Sequence, residues 1–81
     1  MPLNRDEIKQ KVIAMLANQL LIEEEHVHPE YELVDDLGMD SFAAVELLFA
    51  LEDQYDIEIP DEDAKKFKTV NDIIDYLENL L

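Results

Sequence analysis

Three stretches of this chain repeat apolar side chains at the helical period, and each opens on a residue suited to capping a helix. Ile8, Val12, Met15, Leu16 and Leu20 form the first stripe, and Ala44, Leu47, Leu48, Leu51 and Tyr55 the second. Val70, Ile73, Ile74, Leu77 and Leu80 form the third. Spacings of three and four gather apolar groups on one face of a helix, whereas a half-buried strand needs strict alternation. Asn4 with Glu7, and Thr69 with Asp72, have the spacing of capping boxes, and Asp40 is a good N-cap for the middle helix. With 81 residues and no cysteine, the chain can bury only about 60–65% of its unfolded surface and has no disulfide to compensate. Packing helix on helix is the remaining route to stability. The expected fold is all-α: a small four-helix bundle, three main helices plus one short helix, with a long loop between helices 1 and 2. One domain, residues 1–81, is expected.

The connecting segments complete this outline. Leu21 to Met39 is a long connection, of a length that is uncommon in compact domains and often functional. Val27, Leu33 and Leu37 are the expected anchors that tie it to the core. His26 and His28 alternate within it, but two histidines do not make a complete ligand set. They are read as exposed loop residues, and no metal site is assigned. Asp56 to Pro60 reads as an extended link, with Ile57 and Ile59 on one side and Pro60 disfavouring helix at Ile59. Asp61 to Lys66, acids first and lysines last, suits a short helix and its dipole. Those acids lack the glycine and closing glutamate of a calcium-binding loop.

Charge narrows the function. The formal net charge is −15, and between Val12 and Ala64 there are 16 acidic residues and no Lys or Arg. Such a field opposes binding to nucleic acid phosphates and to anionic membranes, and favours partners with basic docking patches. No apolar run reaches the length of a membrane span, and the N-terminus lacks the apolar segment of a signal peptide. A cytoplasmic, monomeric protein is expected. Catalysis is not: no catalytic residues are assigned, because Ser41 has no histidine in a nucleophile arrangement and no glycine-rich loop is present.

The densest concentration of function-bearing residues is Asp35-Asp36-Leu37-Gly38-Met39-Asp40-Ser41-Phe42 and the helix that follows to about Tyr55. With Asp40 as N-cap, Ser41 falls in the first turn, where free amides and the positive end of the dipole favour an attached phosphate. Beyond its core stripe this helix carries a second face, Phe42, Val45, Glu46, Phe49, Glu52 and Asp53. That face is either further core or a docking surface with an apolar centre and a charged rim. An 81-residue domain has few elements with which to surround it, which favours docking.

D-L-G-M-D-S-F, followed by V-E-L-L-F-A-L-E-D and I-E-I-P-D-E, closely resembles the acyl carrier protein family, with the likeness running from about Leu3 to Leu80. The resemblance implies that Ser41 carries 4′-phosphopantetheine through a phosphodiester, with Asp40 as part of the motif. The thiol of that arm would hold acyl intermediates as thioesters in fatty acid, polyketide or specialised lipid synthesis. It further implies partners that read the second helix: a phosphopantetheinyl transferase, and acyl-activating, condensing or acyl-transfer enzymes. Leu47, Leu51, Ile59 and Phe67 are candidates to line an interior space for an acyl chain. The chain departs from the family at Phe42 and Ala43, where leucine and an acidic residue are usual; this suggests a carrier with a dedicated pathway. Two alternatives stay open: an aminoacyl or D-alanyl carrier, and an acidic helical interaction module with unmodified Ser41.

Overall fold

Each N-cap does locally what its residue type allows. In the computed structural model, which describes residues 4–81, Asn4 accepts the Glu7 amide and opens α1, Arg5–Leu20. The Asn4 side-chain amide in turn donates to the Glu7 carboxylate at 3.2 Å. Asp40 opens α2, Ser41–Tyr55. After a four-residue α3, Asp61–Ala64, Thr69 opens α4, Val70–Leu80, with both bonds of a capping box to Asp72. The first three residues of the expected 1–81 domain lie outside the described residues.

The three stripes meet in one core. Ile8, Val12 and Leu16 of α1, Leu51 of α2, and Val70, Ile73, Ile74 and Leu77 of α4 are completely buried, with Leu47 close behind. Each such side chain contributes about 1.5–3 kcal/mol on leaving water. α1 is the hub, packing against both α2 and α4. Arg5 braces the outer end of the α1–α4 pair with bonds to Asp75 at 2.6 Å, Glu78 at 3.0 Å and Asn71 at 3.3 Å. These hydrogen bonds, Asp75 first, hold the Arg5 guanidinium above its already high ordinary pKa. Leu80, expected in the α4 stripe, is instead 49% exposed. It lies at the edge of the stripe and in the last turn, where the helix runs out.

The long connection is better ordered than its composition suggests. It holds a 3₁₀ turn at Glu24–His26. Val27 and Leu33 are buried as expected, and Leu37 packs partly against the core. Met39, not anticipated as an anchor, is buried too. The loop is clasped to the segment before α4 by Leu33 N–H to Lys68 O, Val70 N–H to Tyr31 O, and Asn71 N–H to Pro29 O, at 2.8–3.1 Å. A Lys68–Glu32 ion pair at 3.8 Å lies beside them.

The third helix is shorter than the expected Asp61–Lys66. The Lys66 and Phe67 amides turn to carbonyls three residues back, Asp63 O and Ala64 O, and this tightening ends the helix. Ile57 and Ile59 of the extended link both face the core.

Candidate functional site

Glycine 38, the chain's only glycine, sets the geometry at the head of α2. Residues 32–37 make a turn in which Glu32 N–H donates to Asp36 Oδ2 at 2.7 Å and Leu37 N–H to Glu32 O. Gly38 ends that turn at φ +70°, in the left-handed region where an L side chain is strained. The reversal lets Met39 N–H reach Leu33 O at 2.9 Å and drops the Met39 side chain into the core. Asp40 follows in extended conformation and accepts the Ala43 amide at 2.8 Å. Two consecutive local devices therefore hold Ser41 as the first residue of α2, with an exposed side chain. The amides of Ser41 and Phe42 precede the first intrahelical bond and mark the positive end of the helix. A Cβ placed on Gly38 would meet nothing within 4 Å, so it is the positive φ, not crowding, that calls for glycine there.

Below the serine, α2 presents two faces. Leu47 and Leu51 are buried, with Ala44, Leu48 and Tyr55 partly buried around them. The other face carries Phe42 at 73%, Val45 at 48% and Phe49 at 66% exposure, which spread an apolar ridge over two turns. Of the acids expected to rim it, Asp53 is exposed. Glu46, also exposed, accepts a hydrogen bond from Gln19 Nε2 at 3.1 Å. Glu52 is half-buried, and its Oε2 accepts the Ile59 amide at 2.8 Å. It therefore buttresses the link after α2 as well as standing on the ridge. The Gln19 contact spans 27 residues of sequence, and no local pattern announces it.

A cleft of about 90 Å³ opens between the first turns of α2 and the α3–α4 side, lined by Leu33, Val34, Met39, Ala44, Leu47, Leu48, Ala64, Phe67 and Ile73. Leu47 and Phe67 were expected in such a lining. Leu51 and Ile59 belong to the core, away from the cleft. Phe67 is held edge-on against Tyr76, ring centroids 5.2 Å apart, and Tyr76 donates its hydroxyl to Asp63 at 2.8 Å. Burial and that acceptor push the Tyr76 phenol above its ordinary pKa. His26 and His28 are exposed, and the His28 ring stands 4.7 Å from that of Tyr31. Among the described residues, no group of three or more His, Cys, Asp or Glu is placed to hold a metal ion.

A family model described as the phosphopantetheine attachment site matches residues 10–77, and so covers both the serine and the ridge. The chain belongs to the acyl carrier protein family. It is 54% identical over 67 residues to an acyl carrier protein of Syntrophobacter fumaroxidans, covering 83% of each chain. To an acyl carrier protein of Thermosynechococcus vestitus it is 47% identical over 77 residues, covering 95% of each. The cofactor of such carriers is 4′-phosphopantetheine. The head of α2 fits that group on its own geometry, with an exposed serine at a helix N-terminus. Acyl carriers are not catalysts. Among the described residues, no helix is long and apolar enough to cross a membrane.

Proposed function

We propose that Ser41 is the attachment residue, its Oγ forming the phosphodiester to 4′-phosphopantetheine, and that the chain shuttles acyl groups between partner enzymes. The observation that carries this reading is the position of Ser41, exposed and first in α2 behind the Gly38 reversal and the Asp40 cap. The phosphate would rest where the amides of Ser41 and Phe42 and the helix dipole favour negative charge. When bound, the arm supplies a thiol, which this cysteine-free chain otherwise lacks. Asp40 positions the serine by fixing the first turn. Gly38 supplies the left-handed reversal that brings the chain to that cap.

The ridge of Phe42, Val45 and Phe49, with Glu46, Glu52 and Asp53 at its rim, is the proposed docking face for a phosphopantetheinyl transferase and for acyl-activating, condensing or acyl-transfer enzymes bearing basic patches. Charge of this kind speeds encounter and leaves complexes short-lived and salt-sensitive. A carrier has to leave each enzyme after delivery, so weak, fast docking serves it. The cleft of about 90 Å³ begins one turn from Ser41 and offers an apolar shelter for the first part of an acyl chain. Its volume corresponds to about three waters, so longer chains require the walls to move.

The Phe42-Ala43 pair, standing next to the serine, supports a dedicated pathway instead of bulk fatty acid synthesis. Ala43→Asp should then speed loading by a general transferase; an unchanged rate removes that support. Intact mass spectrometry tests the attachment itself, after incubation with coenzyme A and a broad-specificity phosphopantetheinyl transferase. The native chain should gain one phosphopantetheine and Ser41→Ala none. Failure of several transferases to load a folded sample would overturn the reading.

A further inference from the structure

Leu21 is out of place twice over. It sits at φ 59°, ψ 43°, just past the end of α1, a conformation that costs an L side chain roughly 1–2 kcal/mol and that glycine adopts freely. Its side chain is also 90% exposed. The neighbouring Ile22 has an internal reason for its position. Its amide bonds Ala17 O at 3.0 Å, as the hydrogen-bond pattern of this kind of helix end requires, although its side chain is itself 36% exposed. The Leu21 amide bonds the same carbonyl, but its side chain stays in water. Asp56 ends α2 in the same conformation, but with a polar side chain that tolerates it.

The surroundings indicate what Leu21 would meet. With Ile22 it lines a shallow, widely open depression together with Ala14, Ala17, Asn18 and Glu23, Glu24 and Glu25. The three glutamates are exposed. Among the described residues lining the adjoining hollow, Lys11 is the one cation, in company with Glu7 and Glu24. A second copy of a chain carrying −15 would be repelled here, whereas a basic surface would be drawn in. The patch is also tied to the ridge on α2. Gln19, two residues before Leu21, donates to Glu46 at 3.1 Å, and Glu46 lies within one turn of Phe42, Val45 and Phe49.

We infer that the end of α1 is a second docking plot, in which Leu21 and Ile22, ringed by Glu23–Glu25, receive an apolar side chain flanked by Lys or Arg on a partner protein. The inference rests on the docking reading of α2 for its kind of partner, and extends that face across the Gln19–Glu46 bridge. A partner that spans both plots gains contact area without tightening either one.

The test is a titration of the isotope-labelled chain with a synthetic amphipathic Lys/Leu helix, followed by amide chemical shifts. A control peptide carries Ser in place of Leu. The Lys/Leu helix should shift the amides of Leu21–Glu25 as well as those of the α2 ridge, and high salt should weaken both effects. Leu21→Gly should weaken binding by about tenfold and remove the shifts at residues 21–25, while the melting temperature stays at or above that of the native chain. That combination separates lost docking from lost folding. Shifts confined to the α2 ridge, or unchanged binding by Leu21→Gly, would overturn the second plot and leave the α2 reading standing. Equal shifts from the Ser control would reduce the plot to charge attraction and overturn it as an apolar site. Silence at the ridge with a response at residues 21–25 would support the plot and instead sink the docking role of Phe42 and Phe49. Concentration-dependent self-association abolished by Leu21→Gly would assign the patch to a second copy and overturn the hetero-partner.

Discussion

Helices α2 and α4 start alike and finish differently. Each begins at a side-chain cap, Asp40 or Thr69, and each carries apolar residues at helical spacing. α4 puts its stripe inside up to the last turn, with Val70, Ile73, Ile74 and Leu77 at 0% exposure and only Leu80 left out. α2 is the more apolar in composition, yet it buries only Leu47 and Leu51 and leaves Phe42, Val45 and Phe49 in water. A helix apolar on most sides is normally surrounded; here there are too few elements to surround it. The exposed ridge is therefore surface that the fold does not need, next to the residue that carries the proposed chemistry. One helix holds the domain together, and the other also faces outward.

The sharpest way to break this contrast is truncation on each side of it. Ile73→Ala or Leu77→Ala should cost about 2–5 kcal/mol through lost burial and a residual cavity. In a domain of this size that lowers the melting temperature by on the order of 10–30 °C. Phe42→Ala with Phe49→Ala should move thermal stability little, within about 0.5 kcal/mol per site as surface positions do, but slow loading by the transferase about tenfold, equivalent to about 1.4 kcal/mol of transition-state stabilisation. A collapse in stability of the double variant, measured by thermal melts, would make the ridge core after all.

The caps come next in size. Asp40→Ala and Thr69→Ala should each destabilise by about 1 kcal/mol, read from denaturant midpoints. Only Asp40→Ala should also slow loading, because it alone loosens the turn that holds Ser41. Equal loss of loading in both would show that global stability, and not local positioning, governs the site.

Smaller effects come from titration. Burial alone would raise the Asp72 carboxyl, but the amides of Thr69 and Lys68, the Thr69 hydroxyl and the Lys68 charge together hold it below its ordinary value. The ionised form is thus favoured on folding. Its contribution is present above the unfolded pKa of about 3.9 and is lost as pH falls through the lower folded value. Acid relieves repulsion among the other carboxylates equally in both chains, so from pH 5 to pH 3 the denaturant midpoint of the native chain should fall further, or rise less, than that of Asp72→Asn.

Tyr55 acts at the opposite end of the scale. Burial raises its phenol, and its hydroxyl has no hydrogen-bond partner among the described residues. Stability tied to the neutral phenol is present below the unfolded pKa of about 10 and lost as pH rises through the higher folded value. Tyr55→Phe should be neutral or stabilising by up to about 1 kcal/mol at pH 7 and should extend the folded range in alkali. A loss of stability at pH 7 would mean that the hydroxyl finds a partner in solution.

Local chemistry made much of this molecule legible from its residues. Asn4, Asp40 and Thr69 each satisfy amides within three residues, so their helix starts follow from adjacent side chains alone, and the stripes behind them follow from period. Ser41 was placeable for the same reason. The short third helix stops before Lys66 because its end depends on a switch of hydrogen bonds at Lys66 and Phe67, which lysines that suit a helix C-terminus do not reveal. Leu80 keeps the period of the stripe yet stays half exposed, because periodicity describes a face and says nothing of where the packing on it stops. Only the packed structure joins Pro29, Tyr31 and Leu33 to Lys68–Asn71, brings Gln19 to Glu46, turns Glu52 back on Ile59 and opens the cleft beneath Ser41. Those contacts lie far apart along the chain or come from backbone groups that every residue has. Caps and periods are short-range consequences of side-chain type; which surface is left over once the core is filled is a property of the whole packed chain.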